Sequence, residues 1–254
     1  MSESAARLTD DAFLGGRIRL LQPEKGVRAG IDAVFLAASI AARPGARLLE
    51  AGMGSGVASL CLCARLPDLQ ITGAEIQPEA VRLARRNIRR NGFEKNIRCL
   101  QADICAPAQS LLDAGIAPDS FDHVFANPPY YQPGAGRASP LPGKAMAHAH
   151  ERGNLEQWLR ALLRALKPGG TLSLVHRPES LGVILPVLEG RAGRVRISPL
   201  FPKPGAAAHR ILLQATKANR TPLQLLHGLV LQDESGGYCA RANEVLRHGA
   251  AYPL

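Results

Sequence analysis

The chain of 254 residues is long enough to bury a full hydrophobic core as one α/β domain, and 46% of its residues are hydrophobic. Its 31 Lys and Arg residues against 21 Asp and Glu residues give a formal net charge of +10, which favours polyanionic partners such as nucleic acids. The longest uncharged apolar run, residues 33–42, is too short to cross a bilayer, and residues 1–7 lack the apolar core of a secretory signal. We therefore expect a cytoplasmic protein without a membrane anchor.

Five cysteines are present, and no two of them form a Cys-x-x-Cys pair. Cys61 and Cys63 would point away from each other on a helix. This spacing argues against a disulfide framework or a zinc site. We expect the thiols to be small buried groups, and no bound metal.

From residue 46 onwards, short apolar runs alternate with segments of helical periodicity, a pattern typical of parallel βαβ units. The sequence therefore predicts an α/β fold, a Rossmann-like doubly wound sheet that is mostly parallel. After residue 190, two strands joined by a turn that contains Pro and Gly predict an antiparallel strand near the C-terminus. The predicted strands are residues 47–51, 71–76, 97–101, 121–126, 171–176, 194–201 and 209–216.

The helix predicted after the second strand begins at Pro78, which suits the first helical position, and ends before Gly92. An apolar stripe of Val81, Ala84 and Ile88 should pack on the sheet. The opposite face is either a phosphate-binding ridge or, as such faces more often are, a solvated surface. It carries Arg82, Arg85, Arg86, Arg89 and Arg90.

A long connection, residues 132–153, follows the fourth strand and is rich in Pro and Gly. Connections of this length in a compact domain are usually functional or disordered. This one carries Arg137 and Lys144. Asn154 and Gln157 then form a capping-box pattern, which predicts the start of a helix.

A glycine-rich turn connects the first predicted strand to the next helix. Gly52, Gly54 and Gly56 permit left-handed backbone and let a ligand lie on bare backbone. Open α/β sheets bind nucleotides at such turns. The glycines occupy every second position behind Glu50, which differs from the Gly-x-Gly-x-x-Gly spacing of dinucleotide-binding dehydrogenases.

Acidic residues follow the glycine turn at the ends of the next two strands. Glu75 comes about 20 residues after the turn, the separation at which an acid binds the ribose of an adenosine cofactor. Asp103 lies two residues after the third strand, and Ile76 and Ile104 stand directly after the two acids. Each acid alone would more often be a solvated carboxylate. In combination with the glycine turn, Glu75 predicts an adenosine-containing cofactor.

The fourth strand runs directly into Asn127, Pro128, Pro129 and Tyr130. This tetrapeptide is common in loops, but strand four ends beside the glycine turn in a doubly wound sheet. There the Asn127 side-chain oxygen and the Pro128 carbonyl can accept both N–H bonds of a conjugated amine. The prolines hold these acceptors rigid, and Tyr130 can stack on a flat substrate.

These motifs resemble those of a known superfamily. The glycine turn is similar to the first motif of class I S-adenosylmethionine-dependent methyltransferases, and residues 127–130 resemble the fourth motif of the amino-methyltransferases. With residues 13–22, 26–36 and 204–215, they resemble the tRNA (adenine-N6) methyltransferase family that modifies an adenine beside the anticodon of a valine tRNA. The resemblance implies methyl transfer from S-adenosylmethionine to the N6 of an adenine in RNA, with tRNA as the expected partner.

The resemblance also implies roles for individual residues. Glu50 would face the cationic end of the cofactor, and Asp103 would accept the adenine amino group. Residues 1–30 would complete the cofactor site, ahead of a methyltransferase domain at 31–217 and a small appendage at 218–254. The implied cofactor-binding set is Arg28, Gly30, Asp32, Glu50, Gly52, Gly54, Gly56, Glu75, Ile76, Asp103, Ile104 and Asn127.

Two other functions stay open from the sequence. Residues 127–130 also serve glutamine-N5 protein methyltransferases, although those enzymes carry a helical substrate domain that we do not expect here. A methyltransferase-like module could bind RNA without catalysis, although such modules usually lose the motifs that are intact in this chain. Basic residues available for RNA, each of which could equally be a solvated surface charge, are Arg137, Lys144, Arg194, Arg196, Lys203 and Arg210.

Overall fold

The computed structural model describes residues 7–26, 28–128 and 154–254. An N-terminal hairpin precedes the main sheet. Its strands, β1 (Leu8–Phe13) and β2 (Ile18–Pro23), pair antiparallel and form a separate two-stranded sheet.

Five parallel strands form the part of the main sheet that carries the predicted motifs. They are β3 (Arg47–Ala51), β4 (Gln70–Glu75), β5 (Ile97–Gln101), β6 (Phe121–Ala126) and β7 (Leu166–His176). Their spatial order is β5-β4-β3-β6-β7. From β3 the chain first adds β4 and β5 on one side and then β6 and β7 on the other side. The strand order therefore reverses between β3 and β6. This is the point at which doubly wound sheets open a crevice for a ligand.

The C-terminal strands complete the sheet in antiparallel fashion. β9 (Arg210–Lys217) lies between β7 and β8 (Ala192–Phe201) and is antiparallel to both. The short strands β10 (Gln224–Leu225) and β11 (Leu229–Val230) pair with the outer side of β8. The prediction of a mostly parallel α/β sheet with an antiparallel strand near the C-terminus is thus confirmed.

Helices cover both faces of this sheet and enclose two hydrophobic cores. They are α1 (Ile31–Ser39), α2 (Val57–Arg65), α3 (Pro78–Arg90), α4 (Ala108–Asp113), α5 (Asn154–Ala165), α6 (Leu181–Leu188) and α7 (Ala240–His248). The first core lies between the sheet and α1, α2, α3 and α7, and the second between the sheet and α4, α5 and α6. Residues 218–254, which we predicted as an appendage, therefore supply two strands of the main sheet and a helix of the first core.

Helix α3 follows its sequence signals closely. Pro78 occupies the first turn, and Gly92, just past the end, has a φ of 74°. All five arginines of the predicted ridge are exposed. Arg82 pairs with Glu79 and Arg90 with Asp10. The buried face contains a polar residue that the apolar stripe did not predict, Asn87.

The remaining sequence predictions concern β7, the long connection that precedes α5, the cysteines and the absence of a membrane span. β7 begins at Leu166, five residues before the predicted strand, and includes the Lys-Pro-Gly-Gly segment. The connection at 132–153 and the Asn154 side chain lie outside the described residues. All five cysteines lie in the described part of the chain and carry free thiols, of which Cys61, Cys63 and Cys99 are buried. None of the described helices is long and apolar enough to cross a membrane.

Candidate active site at the carboxyl edge of the sheet

Parallel pairing brings three predicted site residues into one row. Ala51, the last residue of β3, pairs with Ala74 of β4 on one side and with Ala126 of β6 on the other. The next residue along each strand therefore lies at the same carboxyl edge of the sheet. These residues are Gly52, Glu75 and Asn127.

The glycine turn adopts a backbone conformation that favours glycine. Gly52, Gly54 and Gly56 have φ values of 66°, 56° and 88°. A Cβ atom at Gly52 would lie 2.6 Å from the indole Cη2 of Trp158, whereas a Cβ atom at Gly54 would meet no atom within 4 Å. The turn is thus covered by α5 at Gly52 and open to a ligand at Gly54.

The carboxylate of Glu75 is fixed against the glycine turn. Glu75 is only 7% exposed, and its two oxygens accept hydrogen bonds from the backbone N–H groups of Gly54 at 2.8 Å and Gln77 at 2.9 Å. Each carboxylate oxygen has a second lone pair for a further donor. This orientation suits the ribose-binding role that the sequence predicts.

Glu50 is buried behind the turn. It is 3% exposed, and its carboxyl group accepts a short hydrogen bond from the Ser59 hydroxyl on α2. Burial raises the pKa of Glu50 to about 8, although the bond from Ser59 opposes this effect. At neutral pH the carboxyl group therefore keeps its proton, and a cation bound beside it would favour the ionised form.

Asp103 lies one strand beyond Glu75 at the same edge. The N–H of Ala102 donates to the Glu75 carbonyl at 3.0 Å, and the Asp103 carboxylate accepts the N–H of Cys105 at 2.8 Å. Ile76 is half-buried, whereas Ile104 is only 3% exposed and belongs to the second core.

The acceptor motif is described in part. Asn127, which is half-buried, and Pro128, which is buried, follow the end of β6. Pro129 and Tyr130 lie outside the described residues, as do Arg137 and Lys144. The roles of these four residues stay predictions.

Arg28 contacts the N-terminal hairpin. Its guanidinium forms an ion pair with Asp11 at 2.6 Å and donates to the Pro23 carbonyl at 2.8 Å. Gln22 donates to the same Asp11 carboxylate at 2.8 Å and accepts the N–H of Ala29 at 2.7 Å. These bonds tie residues 28–29 to the hairpin, so the charge of Arg28 is balanced by Asp11.

Asp32 and Arg210, which we predicted for cofactor and RNA respectively, bind each other. Their side chains form an ion pair at 2.8 Å and are only 16% and 19% exposed. Ile211 pairs with His176 at the end of β7, which places Arg210 at the same carboxyl edge as the glycine turn. The pair therefore links the first turn of α1, next to the exposed Gly30, to β9.

The other basic candidates do not form one surface. Arg194 and Arg196 lie near the start of β8, at the edge of the sheet opposite the glycine turn, because β8 runs in the same direction as β7. Arg196 also donates to the carbonyl of Leu254 at 2.7 Å. Lys203 follows the end of β8 and is exposed at the carboxyl edge.

Sequence reasoning missed side chains that shape the turn. Ser59 binds Glu50, Trp158 covers Gly52, and Met53 fills the space left by the missing side chain of Gly73. These contacts join residues that are nine or more positions apart in sequence, so no local pattern marks them. The only available signal was Trp158 itself, the single tryptophan of the chain.

The residues at this edge fit S-adenosylmethionine. The open backbone at Gly54 and the buried acid Glu50 suit its methionine part, the oriented carboxylate of Glu75 suits its ribose, and the carboxylate of Asp103 suits its adenine. A methyltransferase domain family model matches residues 42–180. A solved structure from Agrobacterium tumefaciens, described as a predicted O-methyltransferase, is 29% identical, with a TM-score of 0.75 over 88% of this chain and 99% of that one. The protein is a class I methyltransferase that uses S-adenosylmethionine.

Two relatives with assigned names indicate which family of methyltransferases the chain belongs to. A tRNA1(Val) (adenine(37)-N6)-methyltransferase from Shewanella putrefaciens is 30% identical over 84% of this chain and 87% of its own length. A protein of the same name from Yersinia pestis is 29% identical over 84% of this chain and 82% of its own length. The chain belongs to the tRNA1(Val) (adenine(37)-N6)-methyltransferase family.

Proposed function

We propose that this enzyme methylates the exocyclic N6 of an adenine in RNA, and that its substrate is a tRNA. The observation that carries the proposal is the position of Asn127 and Pro128 at the end of β6, in the same row as Gly52 and Glu75. The names of the curated relatives, which specify adenine 37 of a valine tRNA, support it. The formal net charge of +10 also suits an RNA partner.

The chemistry requires an amino group whose lone pair is delocalised into a ring to become a nucleophile. The Asn127 side-chain oxygen accepts one N–H bond of this group and the Pro128 carbonyl accepts the other, which draws the nitrogen towards tetrahedral geometry. S-adenosylmethionine, when bound, supplies an electrophilic methyl group on its sulfonium. Such positioning contributes about 7–11 kcal/mol to catalysis. No strong base is required, because the proton leaves after methyl transfer.

The two hydrogen-bond acceptors, the oxygens of Asn127 and Pro128, favour a substrate that is methylated on an amino group over one that is methylated on a hydroxyl group. A hydroxyl group has one O–H bond and would leave one of the two oxygens, that of Asn127 or that of Pro128, without a donor. An NH₂ group satisfies both. The adenine amine and the glutamine side-chain amide share this feature, and the substrate assay separates them.

Because the proposed substrate is a tRNA, the enzyme must work where tRNA is processed, and we expect a cytoplasmic location. Lys203, Arg86 and Arg89 are exposed and available for phosphate contacts. Arg82, Arg90 and Arg210 are instead paired with Glu79, Asp10 and Asp32. Contacts to phosphate would make RNA affinity fall as salt rises.

The test is methyl transfer from labelled S-adenosylmethionine to unmodified tRNA transcripts, with a translation release factor as a parallel substrate. We expect label in tRNA, recovered as N6-methyladenosine after digestion. Label in the release factor alone would establish the glutamine-directed activity instead. Cofactor binding without methylation of either substrate would contradict the proposed acceptor.

A further inference from the structure

Asn87 is a polar residue at a core position of α3. It is 0% exposed, and its neighbours on the buried face of the helix are the apolar Val81, Ala84 and Ile88. A buried carboxamide costs free energy unless its donors and acceptor are satisfied. The partners of Asn87 therefore indicate its role.

The Asn87 carboxamide joins two separate parts of the cofactor region. Its Oδ1 accepts the N–H of Leu21 in β2 at 2.8 Å, and its Nδ2 donates to the Leu21 carbonyl at 3.0 Å. The same Nδ2 donates to the carbonyl of Ser55, in the glycine turn, at 3.0 Å. Three of the four hydrogen bonds that a carboxamide can make are thus formed. Through this one side chain, α3 is hydrogen-bonded to both the hairpin and the glycine turn.

Asn91, one helical turn later, makes the same contact with the hairpin. Its Oδ1 accepts the N–H of Arg19 at 3.0 Å, and its Nδ2 donates to the Arg19 carbonyl at 2.9 Å. Its second donation goes to the Asn87 carbonyl within its own helix, at 2.8 Å, instead of to the glycine turn. Asn91 is therefore a matched control for Asn87, because the two residues share the hairpin contact and differ in the contact with Ser55.

We propose that Asn87 is a positioning residue for the cofactor: by holding the Ser55 carbonyl, it fixes the glycine turn in the shape that receives S-adenosylmethionine. The turn needs this constraint because Gly54 and Gly56, on either side of Ser55, lose much conformational freedom when they are ordered. If the turn is already ordered before binding, no conformational entropy is lost in ordering it when S-adenosylmethionine binds. The affinity of the protein for S-adenosylmethionine is therefore higher. The inference rests on the cofactor site of the proposed function, but not on which acceptor is methylated.

The same side chain couples the turn to the hairpin. Because Asn87 binds Ser55 and Leu21 at once, a ligand that rigidifies the turn also reduces the freedom of Asn87 and thereby of β2 at Leu21. Arg19, which is bound by Asn91, lacks this direct link. The two backbone N–H groups should thus respond differently to the cofactor.

The first experiment compares N87A with N91A. Both substitutions should lower the melting temperature, since both remove hairpin contacts. Only N87A should raise the Kd and the KM for S-adenosylmethionine, by about tenfold, while kcat at saturating cofactor stays within about twofold. A purely structural role would reduce the active fraction and hence kcat, without this change in KM. Equal effects of N87A and N91A on the Kd would overturn the proposal.

The second experiment uses the native protein and stays decisive if N87A does not fold. Residue-resolved amide hydrogen exchange is measured with and without saturating S-adenosylmethionine. We expect the Leu21 amide to exchange several-fold more slowly with cofactor, and the Arg19 amide to change by less than about twofold. Equal responses, or an unchanged Leu21 amide, would refute the coupling. A protein that binds the cofactor but methylates no RNA would contradict the proposed function, and the Kd comparison and the exchange experiment would still test the role of Asn87.

Discussion

The indole of Trp158 packs against the α-carbon of Gly52, so that α5 and the glycine turn share one contact surface. Trp158 lies on the first helix that the structure describes after the predicted acceptor motif, and Gly52 opens the predicted cofactor turn. Trp158 thus packs α5 against the backbone of the cofactor turn. A change at either residue should affect cofactor binding.

We expect G52A to lose cofactor affinity. Its Cβ would lie 2.6 Å from the Trp158 ring, and alanine is strained at the φ of 66° that this position requires. Strain of this kind corresponds to roughly a 10- to 100-fold increase in the Kd for S-adenosylmethionine, which calorimetry would measure. The control is G182A in α6, where an added Cβ meets no atom within 4 Å. Wild-type affinity in G52A would show that the turn does not carry the cofactor.

The stability of the protein should depend on the ionisation of Glu50. Since its pKa is raised to about 8 from 4.5, the folded state keeps a proton that the unfolded state loses, and the free energy of unfolding falls as pH rises from about 4.5 to 8. E50Q removes this dependence, so at pH 8.5 the variant should be more stable than the wild type by on the order of 3 kcal/mol. Denaturant unfolding at several pH values measures this.

Two comparisons make the Glu50 experiment specific. E94Q, at an exposed position, should leave the pH profile unchanged. E50Q should also bind S-adenosylmethionine more weakly than the wild type does, because it lacks a carboxylate for the cationic end of the ligand. A wild-type protein whose unfolding free energy does not fall between pH 4.5 and 8 would mean that Glu50 is already ionised in the folded protein at neutral pH.

Arg210 and Lys203 should behave differently although both were predicted to contact RNA. R210A leaves the Asp32 carboxylate without its ion pair in a mostly buried position, so we expect a loss of about 1–3 kcal/mol in unfolding free energy. K203A should not change stability, because the residue is exposed. If Lys203 contacts phosphate, K203A reduces the slope of log affinity for tRNA against log salt by about 1. A slope change in R210A without a loss of stability would reverse this assignment.

The sequence predicted the elements whose signals are local. The strands at 47–51, 97–101 and 121–126 and the glycine turn were predicted with the bounds that the structure has, because apolar runs and glycines mark them directly. Helix α3 was delimited by Pro78 and Gly92 for the same reason. The parallel order of the strands then followed from the βαβ pattern.

The sequence did not reveal contacts between distant segments. The hairpin of β1 and β2 was not predicted, and neither were its links to Asn87 and Asn91, which lie 66 and 72 residues away from their partners. The Asp32–Arg210 pair spans 178 residues, so each member was assigned to a ligand instead of to the other. From the sequence alone, a charged residue that pairs with another residue of the same chain cannot be distinguished from one that binds a ligand.

The proposed role of Asn127 in holding the substrate amino group can be tested directly by kinetics. Cofactor affinity and single-turnover methylation of tRNA should be measured for the wild type and for N127A. We expect an S-adenosylmethionine Kd within a few-fold of the wild-type value and a methyl-transfer rate lower by roughly 100-fold or more, because one of the two acceptors that orient the amino group is missing. A variant that methylates tRNA at the wild-type rate would contradict the assignment of Asn127 and Pro128 as the groups that hold the substrate nitrogen.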